Sequence, residues 1–78
     1  MKIFIPGGSG LVGLNLIAKL LESNPSWELT VVDKKSEAVN IAKLIFPSVK
    51  FIVEDLCLVK NQRWPKVALS SDACVMLQ

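Results

Sequence analysis

Ile3-Phe4-Ile5-Pro6-Gly7-Gly8-Ser9-Gly10-Leu11-Val12-Gly13 decides how this chain is read. An apolar run enters a turn with Gly7, Gly10 and Gly13 in a G-x-x-G-x-x-G pattern, and the turn opens a segment of helical period. Each glycine has its own physical use. Gly7 can take backbone angles closed to other residues, so the chain can reverse sharply. Gly10 has no side chain to hold a diphosphate off the backbone, and Gly13 lets helix and strand pack closely. The N–H groups that open the helix, those of Leu11 and Val12 among them, lack partners within the helix and carry partial positive charge, which suits an anion. A glycine-rich turn can also join a strand to a helix with no ligand. Here a strand-like run precedes the turn, an amphipathic helix follows, and Asp33 ends a strand about 20 residues later, the context of a dinucleotide-binding turn.

Working outward, Lys2–Ile5 reads as a short buried parallel strand that Pro6 closes, because proline cannot donate to a ladder. Leu11–Ser23 reads as the first helix, with Asn15, Lys19 and Glu22 on one polar stripe and the remainder apolar. Asn24-Pro25 stops it. Trp27–Val32 is a second strand ended by Asp33, and Ser36 is placed to cap a helix over Glu37–Phe46. The expected core stripe of that helix is Ala38, Ile41, Ala42 and Ile45, with Pro47 as its stop. Val49–Val53 is a third strand closed by Glu54-Asp55. A short helix is expected near Pro65, with Trp64 and Val67 or Ala68 packed inward, and Ala73–Leu77 is a fourth apolar strand.

This β-α-β-α-β-α-β order implies parallel pairing with right-handed crossovers. The expected fold is α/β, a three-layer Rossmann-type parallel sheet in its N-terminal half only, with strand order 3-2-1-4. At 78 residues the chain is at most one domain. A chain of that size buries only about 60–65% of the surface its unfolded form exposes. Residues 1–78 are expected to form a partial NAD(P)-binding domain; that it is truncated at its C-terminus is what the family resemblance of its residues implies.

Composition narrows the function. The apolar fraction of 51% excludes disorder, and a net charge of +2 with interspersed signs gives no basic face for nucleic acid or an anionic membrane. With no histidine and two separated cysteines, a zinc site has no ligand set. Cys57 and Cys74 are expected as buried free thiols. No apolar stretch reaches the ~20 residues that cross a bilayer. Met1 leads straight into a strand with glycines where a signal peptide would have its apolar core, so a cytoplasmic protein is expected. A Walker-A turn is excluded, since Leu14-Asn15 follows Gly13 in place of Lys-Ser/Thr.

Asp33 can accept hydrogen bonds from ribose hydroxyls and would repel a phosphate on that ribose, which favours NAD over NADP. Lys34 and Lys35 pull the other way, since a cation can accommodate such a phosphate. Asp55 ends the third strand at the same carboxyl edge, where it can reach an adenine amino group while Leu56 packs on the ring; a solvated acid at a strand end is the plainer alternative. Ser9 can bond a phosphate oxygen or steady the turn. Trp27, Trp64, Phe46 and Phe51 read as packing residues, without the basic surround of a base-stacking platform.

Those residues carry a family resemblance across essentially the whole chain. Ile3–Gly13 resembles the N-terminus of the extended short-chain dehydrogenase/reductases, the NAD-dependent epimerase/dehydratase family, whose turn is typically Thr-Gly-Gly-x-Gly-Phe/Leu-Ile/Val-Gly. Asp33 matches that family's ribose-binding acid. Glu54-Asp55-Leu56 is similar to its Gly-Asp-Leu, and Ser71–Leu77 to its fourth strand. The resemblance implies that Gly7, Gly10, Leu11, Val12, Gly13, Asp33, Lys34, Asp55 and Leu56 bind the ADP part of NAD. It further implies a nucleotide-sugar or other small-molecule substrate for the full-length protein, with a homodimer as the assembly open to it.

Pro6 stands for the usual Thr and Met76 for a frequent His. The family's catalytic Tyr-x-x-x-Lys is lacking, and this sequence has no tyrosine at all. No catalytic and no metal-ligating residue is therefore assigned. A non-catalytic dinucleotide-binding module and an inactive truncated fragment remain alternatives to the N-terminal piece of an epimerase, dehydratase or oxidoreductase. The fourth strand would leave an open apolar edge, so the isolated piece is expected to aggregate.

Overall fold

The computed structural model of the chain describes residues 1–7, 9–58, 60 and 62–75. Its strands are β1 (Lys2–Pro6), β2 (Glu28–Asp33), β3 (Lys50–Val53) and β4 (Ala73–Cys74), and its helices α1 (Leu11–Ser23), α2 (Ser36–Ile45) and α3 (Trp64–Ser70). The sheet is parallel, as the alternation of strand and helix predicts, and its order β3-β2-β1-β4 is that of the expected Rossmann-type half-sheet.

Both faces of this sheet are covered because successive strand residues point opposite ways. Ile3, Ile5, Leu29, Val31 and Phe51 face the side of α1 and α2, where they join Ile17, Val39 and Ala42. Phe4, Val32 and Ile52 face the other side, where Leu56, Trp64, Val67 and Ala68 cover them. The chain winds outward from β1 through α1 and α2 on one face. It then returns through α3 on the opposite face to lay β4 on the far side of β1. That reversal at β1 is the topological switch point, outside whose carboxyl ends ligands of such sheets bind.

Several local expectations need correction. In α2 the buried residues are Val39 and Ala42, whereas Ile41 and Ile45 are 59% and 54% exposed. That helix packs against the edge strand β3, where only a narrow row of it meets the sheet. The row is Val39 and Ala42, extended by Phe46. Ser36 is the first residue of α2 and does not cap it: Lys35 is the cap residue, without a side-chain bond, and Asp33 Oδ1 accepts the Lys35 N–H at 3.2 Å.

Trp27 precedes β2 and packs on the core, and Pro6 and Asp33 fall inside their strands. Cys57 and Cys74 are free but exposed, not buried. Cys57 sits in a surface turn, and Cys74 lies on the short edge strand β4. Of the expected fourth strand, Met76 and Leu77 lie outside the described residues.

Candidate functional site at the carboxyl rim

Gly7 has φ 75°, a left-handed angle that disfavours any side chain, and its N–H donates to the Val32 carbonyl at 2.8 Å. The reversal after β1 is thereby fastened to the end of β2, at the carboxyl rim. Gly10 differs. It is the cap residue of α1 at φ −77° and ψ 176°, angles open to any residue, and a Cβ built there meets nothing within 4 Å. Neither backbone strain nor packing inside the chain requires glycine at this position. What glycine leaves is bare backbone facing open space.

The helix start beside it is uncapped. Gly10 offers no side-chain bond, no acidic residue stands in the first turn, and the first helical bond runs from Leu14 N–H to the Gly10 carbonyl at 2.9 Å. The N–H groups of Leu11, Val12 and Gly13 come before that bond. Leu11 and Val12 are 77% and 72% exposed, so none of the described residues covers this end, while Gly13 is buried on the inner side of α1.

Asp33 ties the rim together. Its side chain is buried; Oδ2 accepts the N–H of Ser9 at 3.4 Å and Oδ1 that of Lys35 at 3.2 Å. A carboxylate has about four lone-pair sites, so acceptor capacity remains for ribose hydroxyls. Ser9 is 5% exposed, and its Oγ is buried with no hydrogen-bond partner among the described residues. Exposed Lys34 lines a shallow depression of about 400 Å³ with Lys35, Ser36, Glu37 and Ala38, immediately after Asp33.

Asp55 follows β3 on the same rim but is partly engaged locally. Its Oδ1 accepts the Cys57 N–H at 2.9 Å and its carbonyl accepts the Leu58 N–H at 3.0 Å, which folds the chain into a turn. Leu56 is half-buried against the Phe4, Val32 and Ile52 cluster. The glycine turn, Asp33, Lys34, Asp55 and Leu56 thus share one edge of the sheet.

Sequence reasoning missed the role of Glu54. Its carboxylate accepts the backbone N–H groups of Arg63 and Trp64 at 2.8 Å and the Arg63 Nε–H at 3.1 Å. Desolvation acts to raise its pKa, but those hydrogen bonds and the guanidinium charge outweigh it and hold the carboxyl below its ordinary value. Trp64 then stacks on Phe4 at 6.3 Å between ring centroids and donates Nε1–H to the Leu58 carbonyl at 2.7 Å. No local pattern announces this latch, since its partners are 9 and 10 residues apart.

A cavity of about 610 Å³ opens at the opposite rim, between Lys2, Trp27, Glu28, Lys50 and Ser71, and holds none of the candidate residues. Among the described residues no group of His, Cys, Asp or Glu could hold a metal ion, and no helix is long and apolar enough to cross a membrane.

A parallel sheet in the order 3-2-1-4, with helices on both faces and a glycine turn at the carboxyl end of its inner strand, defines a Rossmann-type α/β fold. Among solved structures, the chain is similar to UDP-glucuronic acid 4-epimerase from Bacillus cereus in complex with NAD, with a TM-score of 0.74 and 26% identity over 99% of this chain and 26% of that one. It is also similar to dTDP-glucose 4,6-dehydratase from Bacillus anthracis in complex with NAD, with a TM-score of 0.71 over 100% of this chain and 26% of that one. At 19% identity, the second likeness concerns the fold alone. This chain spans about a quarter (26%) of the length of each of these proteins. No family model and no curated protein matches it. The resemblance drawn from the glycine turn is borne out by these likenesses to a 4-epimerase and a 4,6-dehydratase, each in complex with NAD.

Proposed function

We propose that this chain binds the ADP part of NAD at its carboxyl rim, as the N-terminal piece of a larger NAD-binding domain. The complete protein is, in this reading, a cytoplasmic epimerase, dehydratase or oxidoreductase acting on a nucleotide sugar. One observation carries the proposal: Gly10 needs no glycine for its own backbone or packing, yet leaves an uncapped helix start bare toward open space. A diphosphate seated there would meet the N–H groups of Leu11, Val12 and Gly13 at the positive end of α1. Asp33 would take the adenosine ribose hydroxyls, and Asp55 with Leu56 the adenine. Likeness to an epimerase in complex with NAD supports the choice of cofactor.

NAD supplies hydride acceptance when bound; this chain's share is to hold and orient its ADP end. With no tyrosine in the sequence, the proton chemistry of a Tyr-x-x-x-Lys pair has no seat in these residues. Titration of the protein with NAD and NADP by calorimetry tests the binding proposal. Saturable heat with NAD, weaker with NADP, is the expected result, and no heat with either overturns it.

A further inference from the structure

We propose that the Ser9 hydroxyl is a phosphate-binding group, which turns out of the glycine loop to donate to a diphosphate oxygen of the dinucleotide. The inference rests on the function proposed above and adds a residue to it. Ser9 is 5% exposed, and its Oγ is buried without a partner among the described residues. A hydroxyl taken from water without a bond in return is a net cost to the fold, and native chains leave few such groups without a use. The surrounding backbone is well held. Gly7 is fastened to Val32, the Ser9 N–H meets Asp33, and Gly10 begins α1.

Only the side chain is uncommitted. A serine has three staggered χ1 wells, and no polar contact ties Ser9 to the one it occupies. Rotation toward the open space over Gly10 would exchange an unpaired hydroxyl for a charge-assisted bond to an anion. The bare backbone at Gly10 and the orphaned hydroxyl beside it are independent features, and one anionic ligand accounts for both.

The test compares the protein with its Ser9→Ala variant, by thermal melting without ligand and by titration with NAD, ADP and adenosine. The expected result is a melting temperature no lower than that of the parent, with affinity for NAD and for ADP weakened about tenfold, the scale of one bond to a charged group. Adenosine, lacking phosphates, should distinguish neither form. A hydroxyl that only steadies the loop would behave otherwise: its loss would lower the melting temperature. A lowered melting temperature, unchanged affinity for NAD, or an equal loss with adenosine each overturns the inference while leaving NAD binding by the parent intact. Failure of the parent to bind NAD overturns the inference and the proposed function together.

Discussion

Asp33 accepts the Ser9 N–H at 3.4 Å, so the acid at the end of β2 props the glycine turn that leaves the neighbouring strand. One carboxylate therefore has two duties at the rim, as a strut for the loop and as an acceptor for a ribose. Asp33→Ala should lower stability by about 1–3 kcal/mol, the usual cost of leaving buried donors unpaired. It should also weaken NAD binding and, with the repulsion of a ribose phosphate removed beside Lys34, shift preference toward NADP. Urea melts and paired titrations with the two dinucleotides check both effects.

The two glycines of the turn should respond in opposite ways to alanine. Gly7→Ala forces a side chain onto φ 75° and should destabilise by about 1–2 kcal/mol. Gly10→Ala puts a methyl into open space on an ordinary backbone, and should leave stability unchanged or raise it by up to about 1 kcal/mol. Its affinity for NAD should nevertheless fall. Melting curves and calorimetry on both variants separate the structural glycine from the ligand-facing one.

Trp64 closes the second face of the sheet through its stack on Phe4 and its bond to the Leu58 carbonyl. Replacement by alanine should cost about 2–3 kcal/mol, less than a fully buried aromatic because Trp64 is half-buried. Chemical denaturation followed by circular dichroism measures it, since α3 should loosen with the loss.

Glu54 gives the fold an acid-sensitive latch. Its folded pKa is depressed, so its contribution is complete above the unfolded value of about 4.3 and disappears as pH falls through the lower folded value. The parent should accordingly outlast Glu54→Gln at pH 7, with the two melting temperatures converging below about pH 4. A gap that persists in acid would mean that charge at Glu54 contributes little.

Features set by local chemistry were readable in the sequence. The bounds of α1 follow from Gly10 before it and Asn24-Pro25 after it, and the parallel pairing of the strands follows from crossovers of helical length. Features set by position in the sheet were not. In α2, Ala38–Ile41–Ala42–Ile45 and Val39–Ala42–Phe46 are equally good helical rows, and only the helix's place near the edge of the sheet selects the second. Cys57 and Cys74 sit among apolar neighbours in sequence yet reach the surface, because none of the described residues packs over that turn or the two-residue strand. At the site, the glycines and acids were visible as types at fixed spacings. The latch at Glu54 and the propping of Ser9 by Asp33 join residues far apart in the chain, and no local pattern encodes them.

The sheet is unevenly zipped. From Lys2 to Pro6, β1 runs alongside β2, whereas among the described residues it meets β4 only at Ile3 and Phe4. Amide protons on the β4 side should therefore trade with solvent sooner than those between β1 and β2, and transient opening should start there. The glycine loop, rooted in the longer seam, would keep its shape while the crevice beside it breathes. A nucleotide could then come and go without loosening the residues that grip it.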